Sequence, residues 1–150
     1  MRNTPAQAVK TIADAAGWRF AAPNASGGWH YAFEKGLSLN LESPDGRSLV
    51  LWSELERLPT DSDSAKTERL HLIGRLAAGV LSRRPSTISL ENNRLVLYRR
   101  VLLDASDEKL VEETRAFLND EAWWRSRLTT ECVPTNPFQL SGFFPSSLTY

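Results

Sequence analysis

The sequence predicts an α+β domain in the order helix, three-stranded antiparallel meander, helix, β-hairpin, helix. Three observations predict it. Two runs within residues 29–42 alternate apolar and polar side chains, a third apolar run follows at Ser48–Leu55, and the turns between the runs are too short for parallel crossovers. Three other stretches repeat apolar residues at helical spacing, each with a capping residue at its start or a breaker at its end. With 41% apolar and 24% charged residues in 150, the composition is globular and the length suits one ordinary domain.

The first helix opens with Thr4 as N-cap and Pro5 at its first position, where a missing N–H costs nothing. Ala6, Val9, Ile12, Ala15 and Ala16 recur at helical spacing, and Gly17 stops it. Trp29, Tyr31 and Phe33 then alternate with His30 and Ala32, and Lys35-Gly36 makes a tight turn. Leu37, Leu39 and Leu41 alternate with Ser38, Asn40 and Glu42. Ser43-Pro44-Asp45-Gly46 is a four-residue turn by its Pro and Gly, and the chain returns as a third strand over Ser48–Leu55.

A polar loop leads to Ser64, the expected N-cap of a second helix over about Ala65–Arg83. Leu70, Leu72, Ile73, Leu76, Ala77, Val80 and Leu81 cover about half of its circumference, wider than the ≳100° stripe of a surface helix. Such a helix has two apolar duties. Gly74, Ala77, Ala78 and Leu81 leave room for a second backbone. Thr87–Glu91 and Arg94–Leu103 form a hairpin around Asn92-Asn93, and the second of these strands, apolar on both faces, is expected inside the sheet. Ser106 caps the third helix, whose inner face carries Leu110, Thr114, Phe117 and Trp124, widened to one side by Val111 and Leu118. Glu112, Glu113 and Asp120 are assigned to its wet face, Glu121 to an ion pair near the apolar face, and Trp123 to a contact with the tail. The domain is set at 1–128. Residues 129–150 form an uncharged (after Glu131), aromatic, proline-containing tail expected to dock on the domain, a partner or a neighbouring subunit.

Chemistry is sparse. His30 and His71 have no metal-ligand spacing to Cys132 or to an acidic residue, no glycine-rich phosphate loop precedes a helix, and nothing local supports a Cys132–His71 pair. The sequence is therefore read as non-enzymatic, with no cofactor and no metal. Lys plus Arg and Asp plus Glu number 18 each, so no nucleic-acid partner is expected, and Arg83, Arg84, Arg99 and Arg100 are read as solvated charges. No 18-residue apolar run and no apolar h-region in Met1–Lys10 exist, so neither membrane insertion nor export is expected. One cysteine fits a reducing, cytoplasmic setting. What remains is apolar surface beyond one small core, which asks for a dimer interface and a groove for another chain.

The order of elements over residues 4–127 resembles the class I type III secretion chaperones, the CesT/SycE-like family of small dimeric effector chaperones. Arg84-Pro85-Ser86-Thr87-Ile88-Ser89-Leu90, Arg94-Leu95-Val96-Leu97 and Leu102-Leu103-Asp104, between two helices, look particularly like the YscB branch, as does Pro44-Asp45-Gly46-Arg47-Ser48-Leu49-Val50-Leu51. The resemblance implies passive binding of the N-terminal segment of an effector or gatekeeper protein, which stays soluble and secretion-competent. It also implies pairing with a second copy or a second small chaperone. Dimer residues would be Leu70, Ile73, Gly74, Ala77 and Leu81; client-groove residues would be Val9, Ile12, Trp18, Phe20, Trp29, Tyr31 and Tyr98. For each, burial in the subunit's own core is the competing assignment. A small dimeric regulatory or adaptor domain of the same fold is the alternative function.

Overall fold

The structure, a computed structural model, describes residues 3–80 and 82–131. Three helices and five strands follow the expected order: α1 Pro5–Ala16, β1 Trp29–Ala32, β2 Ser38–Glu42, β3 Ser48–Arg57, α2 Asp63–Val80, β4 Thr87–Glu91, β5 Arg94–Leu102 and α3 Asp107–Glu131. The strands form one antiparallel sheet ordered β1-β2-β3-β5-β4. β5 is an interior strand, as its two apolar faces predict.

Local chemistry fixes the boundaries. Thr4 caps α1 in a capping box with Gln7, and Gly17 closes it in the left-handed region at φ 75°. Asp45 makes the β2–β3 turn by accepting from the backbone N–H of Arg47 and Ser48, while Arg100 pairs with it from β5. These partners hold the Asp45 carboxyl well below the usual carboxylate range, the two backbone N–H groups first. Asn92 and Asn93, both at positive φ, turn the β4–β5 hairpin. Ser106 Oγ accepts from Lys109 N–H at the start of α3.

Several boundaries differ from expectation. Between β1 and β2 the turn is a short 3₁₀ segment, Glu34–Gly36, with Lys35 and Gly36 at positive φ. β3 continues past Leu55 to Arg57 through a bulge between Glu54 and Glu56. Ser62, not Ser64, caps α2: its Oγ accepts from Ala65 N–H, and Asp63 takes the first turn, where a negative charge suits the helix dipole. The helix also ends at Val80 rather than Arg83.

One face of the sheet carries Leu39, Leu41, Leu49, Leu51, Leu97 and Val101, which pack with Ala8, Val9 and Ile12 of α1 and Leu110, Phe117 and Trp124 of α3 into a single core. Glu121 of α3, fully buried, accepts from Ser38 N–H, Ser53 Oγ and Arg125 Nε, so one carboxylate ties β2 and β3 to α3. The ion pair expected for Glu121 is present. Asp120 and Glu113 are a correction. Asp120 is buried and accepts from Arg84 and from Ser86 N–H, and Glu113 pairs with Arg99, because β5 and the α2–β4 loop supply cations to that side of α3. The opposite face of the sheet bears Trp52 and Tyr98 as a cross-strand pair. It is open, with Leu102 at 55% exposure.

Candidate functional site

Besides the open sheet face, two regions present apolar side chains that the core does not absorb. The first lies where α1 ends. Trp18, just past the Gly17 cap, packs on Tyr31 and Phe33 of the β1 segment with ring centroids 5.2 and 4.8 Å away. Ala21 N–H donates weakly to Tyr31 Oη at 3.4 Å, and Phe20, the residue before it, is 40% exposed. On its other side Trp18 walls a groove of about 250 Å³ between α1 and α3, lined also by Ile12, Ala16, Val111 and Leu118.

The outer edge of β1 borders the same region. Phe33 N–H donates to Leu37 O at 2.8 Å, in register with Tyr31↔Leu39 and Trp29↔Leu41. Alternation then turns the N–H and C=O of His30 and Ala32 away from β2. Both residues are exposed, and neither has a backbone partner on that side among the described residues. Such an edge can accept a further strand.

The second region is α2. Ile73 is its one buried residue; Leu70, Leu76, Ala77 and Val80 are half-buried against the core, and Gly74 is exposed. Polar ties hold the helix down: Arg69 forks onto Glu56 and donates to Leu128 O, and Arg84 beyond its end pairs with Asp120. A shallow, open trough runs along it past Leu70, Gly74 and Ala78. A Cβ added at Gly74 would meet nothing within 4 Å, so the chain's own packing does not need this glycine.

The expected site residues divide accordingly. Val9 and Trp29 sit in the subunit's own core; Ile12 is buried there too but also lines the groove. Trp18 and Tyr31 come together at the α1 end, Phe20 is exposed two residues further along the chain, and Tyr98 lies apart on the open sheet face. Among the dimer candidates, Ile73 is in the core, Leu70 and Ala77 border it, Gly74 faces outward and Leu81 lies outside the described residues. The tail, with Cys132, also lies outside them. The expected contact of Trp123 with the tail therefore also falls outside the described residues; within them, the Arg84 and Arg127 guanidiniums lie 5.2 and 5.7 Å from its ring. The reading of the basic residues as solvated charges is corrected for Arg84 and Arg99, which both reach the buried Asp120, Arg99 also pairing with Glu113; Arg100 pairs with Asp45 at the surface.

Phe33, Val111 and Leu118 were not among the expected site residues. The widening of the α3 apolar face at Val111 and Leu118 was the signal for them. Among the described residues no helix is long and apolar enough to cross a membrane, and no His, Cys, Asp and Glu cluster is placed to hold a metal.

No protein-family model and no curated protein matches the chain. Solved structures match its fold. The Yersinia pestis type III secretion chaperone SycH, in complex with a stable fragment of YscM2, matches with a TM-score of 0.57 and 14% identity over 81% of this chain and 99% of that one. This chain has the type III secretion chaperone fold. The ExsC–ExsE complex shares that chaperone fold with a TM-score of 0.59 and 15% identity over 85% of this chain and 97% of that one. So does an uncharacterized protein from Methanothermobacter thermautotrophicus, at 0.57 and 11% over 82% and 95%.

Proposed function

We propose that this protein is a non-catalytic, cytoplasmic type III secretion chaperone. It binds the N-terminal segment of an exported effector or gatekeeper protein and keeps it soluble and secretion-competent. The observation that carries this reading is the shared fold with SycH, solved holding a fragment of another protein. The α1 end supplies what an extended client needs: an unpaired strand edge at His30 and Ala32 for backbone hydrogen bonds, and Trp18, Phe20 and Tyr31 for side-chain contact. Ordering such a segment costs several kcal/mol, about 2–5 or more, which buried apolar area must exceed. α2 is the proposed seam to a second copy or a second small chaperone, through Leu70, Gly74, Ala77 and Leu81, with Ile73 beneath them as the packing floor.

Co-expression with candidate export substrates tests the proposal. The chaperone co-purifies with one of them and shields its N-terminal segment from limited proteolysis; equal digestion with and without the chaperone contradicts it. A second reading on the same fold is a small dimeric regulatory or adaptor domain without an export client. That domain would retain its partner under the same test but leave export unchanged when deleted.

A further inference from the structure

The Trp18 groove has a chemistry that narrows what it accepts. At about 250 Å³ it falls below the roughly 300–1,000 Å³ of small-molecule pockets, so it suits one large side chain of a longer ligand. Ile12, Ala16, Trp18, Val111 and Leu118 make its walls apolar. The one buried polar group there, the Thr114 hydroxyl, already donates to Leu110 O at 2.9 Å and asks nothing of a ligand. Arg115 and Asn119 complete the lining, both exposed.

Charge at this site is unbalanced. The Arg115 side chain, part of the lining, has no hydrogen bond or ion pair among the described residues. Asp14, near the end of α1, is engaged by Lys10, and Glu113 by Arg99 and Lys109. Glu108 and Glu112 stand exposed toward the N-terminus of α3, and neither forms an ion pair with Arg115. One guanidinium, Arg115, thus lines the rim of this apolar groove without an ion-pair partner among the described residues.

We infer that the groove between α1 and α3 takes one large apolar side chain from a peptide segment whose neighbouring residues are acidic. This rests on the client-binding reading above and names the chemistry of the client. Rim charges of this kind contribute modestly to affinity but select sign and steer encounter.

The test is fluorescence anisotropy of the full chain with two labelled twelve-residue probes, each with a single central Phe, flanked by Glu in one and by Lys in the other. The Glu-flanked probe binds roughly tenfold tighter, and the gap closes as salt rises. Ala16→Trp, which fills the socket, abolishes that binding. Arg115→Glu, a change at an exposed position, reverses the preference toward the Lys-flanked probe. Equal binding of the two probes, or a preference that Arg115→Glu leaves unmoved, overturns the inference. So does a change in particle mass with Arg115→Glu, since a second copy would then occupy the groove. A natural client that co-purifies undiminished with both variants would likewise reject the socket while leaving the chaperone reading intact.

Discussion

α1 and α2 are both amphipathic in sequence, yet the sheet treats them differently. α1 buries Ala8, Val9, Ile12 and Ala13 in twelve residues; α2 buries only Ile73 in eighteen. α1 lies against α3, and its apolar stripe is narrow enough to be consumed by that contact. α2 is pinned by Arg69, Lys66 and the adjacent Arg84, while all of its apolar residues but Ile73 stay partly wet. The difference teaches that apolar spacing states how much greasy surface a helix has and leaves open whose surface covers it.

Substitutions that sharpen this contrast span a wide range. Phe117→Ala, in the core that α1 and α3 close, should cost about 3–5 kcal/mol in urea unfolding, because the cavity cannot collapse. Leu72→Ala on α2 should cost under about 1 kcal/mol; comparable losses would erase the distinction. Glu121→Ala comes next, at about 3 kcal/mol, since it takes the shared acceptor from Ser38 N–H, Ser53 Oγ and Arg125 Nε and removes the tie between β2, β3 and α3.

Gly74 gives a smaller but more pointed result. Ala there fits open space and should stabilise an isolated subunit by up to about 1 kcal/mol through helix propensity. Gly74→Trp should instead lower the particle mass in light scattering by blocking close approach of a second backbone. A stabilised subunit with unchanged mass for both variants would show that α2 faces only water.

The smallest effect is on pH dependence. Hydrogen bonds from Arg99 foremost, then Lys109, hold the Glu113 carboxyl below the usual carboxylate range. Its folded pKa is depressed, so its contribution is present above the ordinary range and is lost as pH falls through the folded value. Glu113→Gln should therefore lower the urea midpoint at pH 7, and the gap from wild type should shrink in acid. A gap that widens on acidification would contradict this assignment.

Much of the fold was legible because it is periodic. Alternation through residues 29–42 and the apolar run at Ser48–Leu55 gave three strands in the correct pairing, and Thr4, Gly17, Asn92-Asn93 and Ser106 marked their turns and caps through groups the structure shows hydrogen-bonded or at positive φ. What was not legible depended on partners distant in sequence. Asp120 and Glu113 read as wet until Arg84, Ser86 and Arg99 arrive from other elements. The site was half visible. Trp18, Phe20 and Tyr31 were found as aromatics, but the groove needs Val111 and Leu118 from ninety or more residues away, and Val9 and Trp29 were claimed by the core.

Native mass spectrometry of the protein purified from its own host addresses the whole account at once. A particle holding two small subunits and one additional polypeptide, released together with its N-terminal segment intact, is the predicted result. A bare single subunit of 16.8 kDa, unchanged when export substrates are supplied, would contradict it.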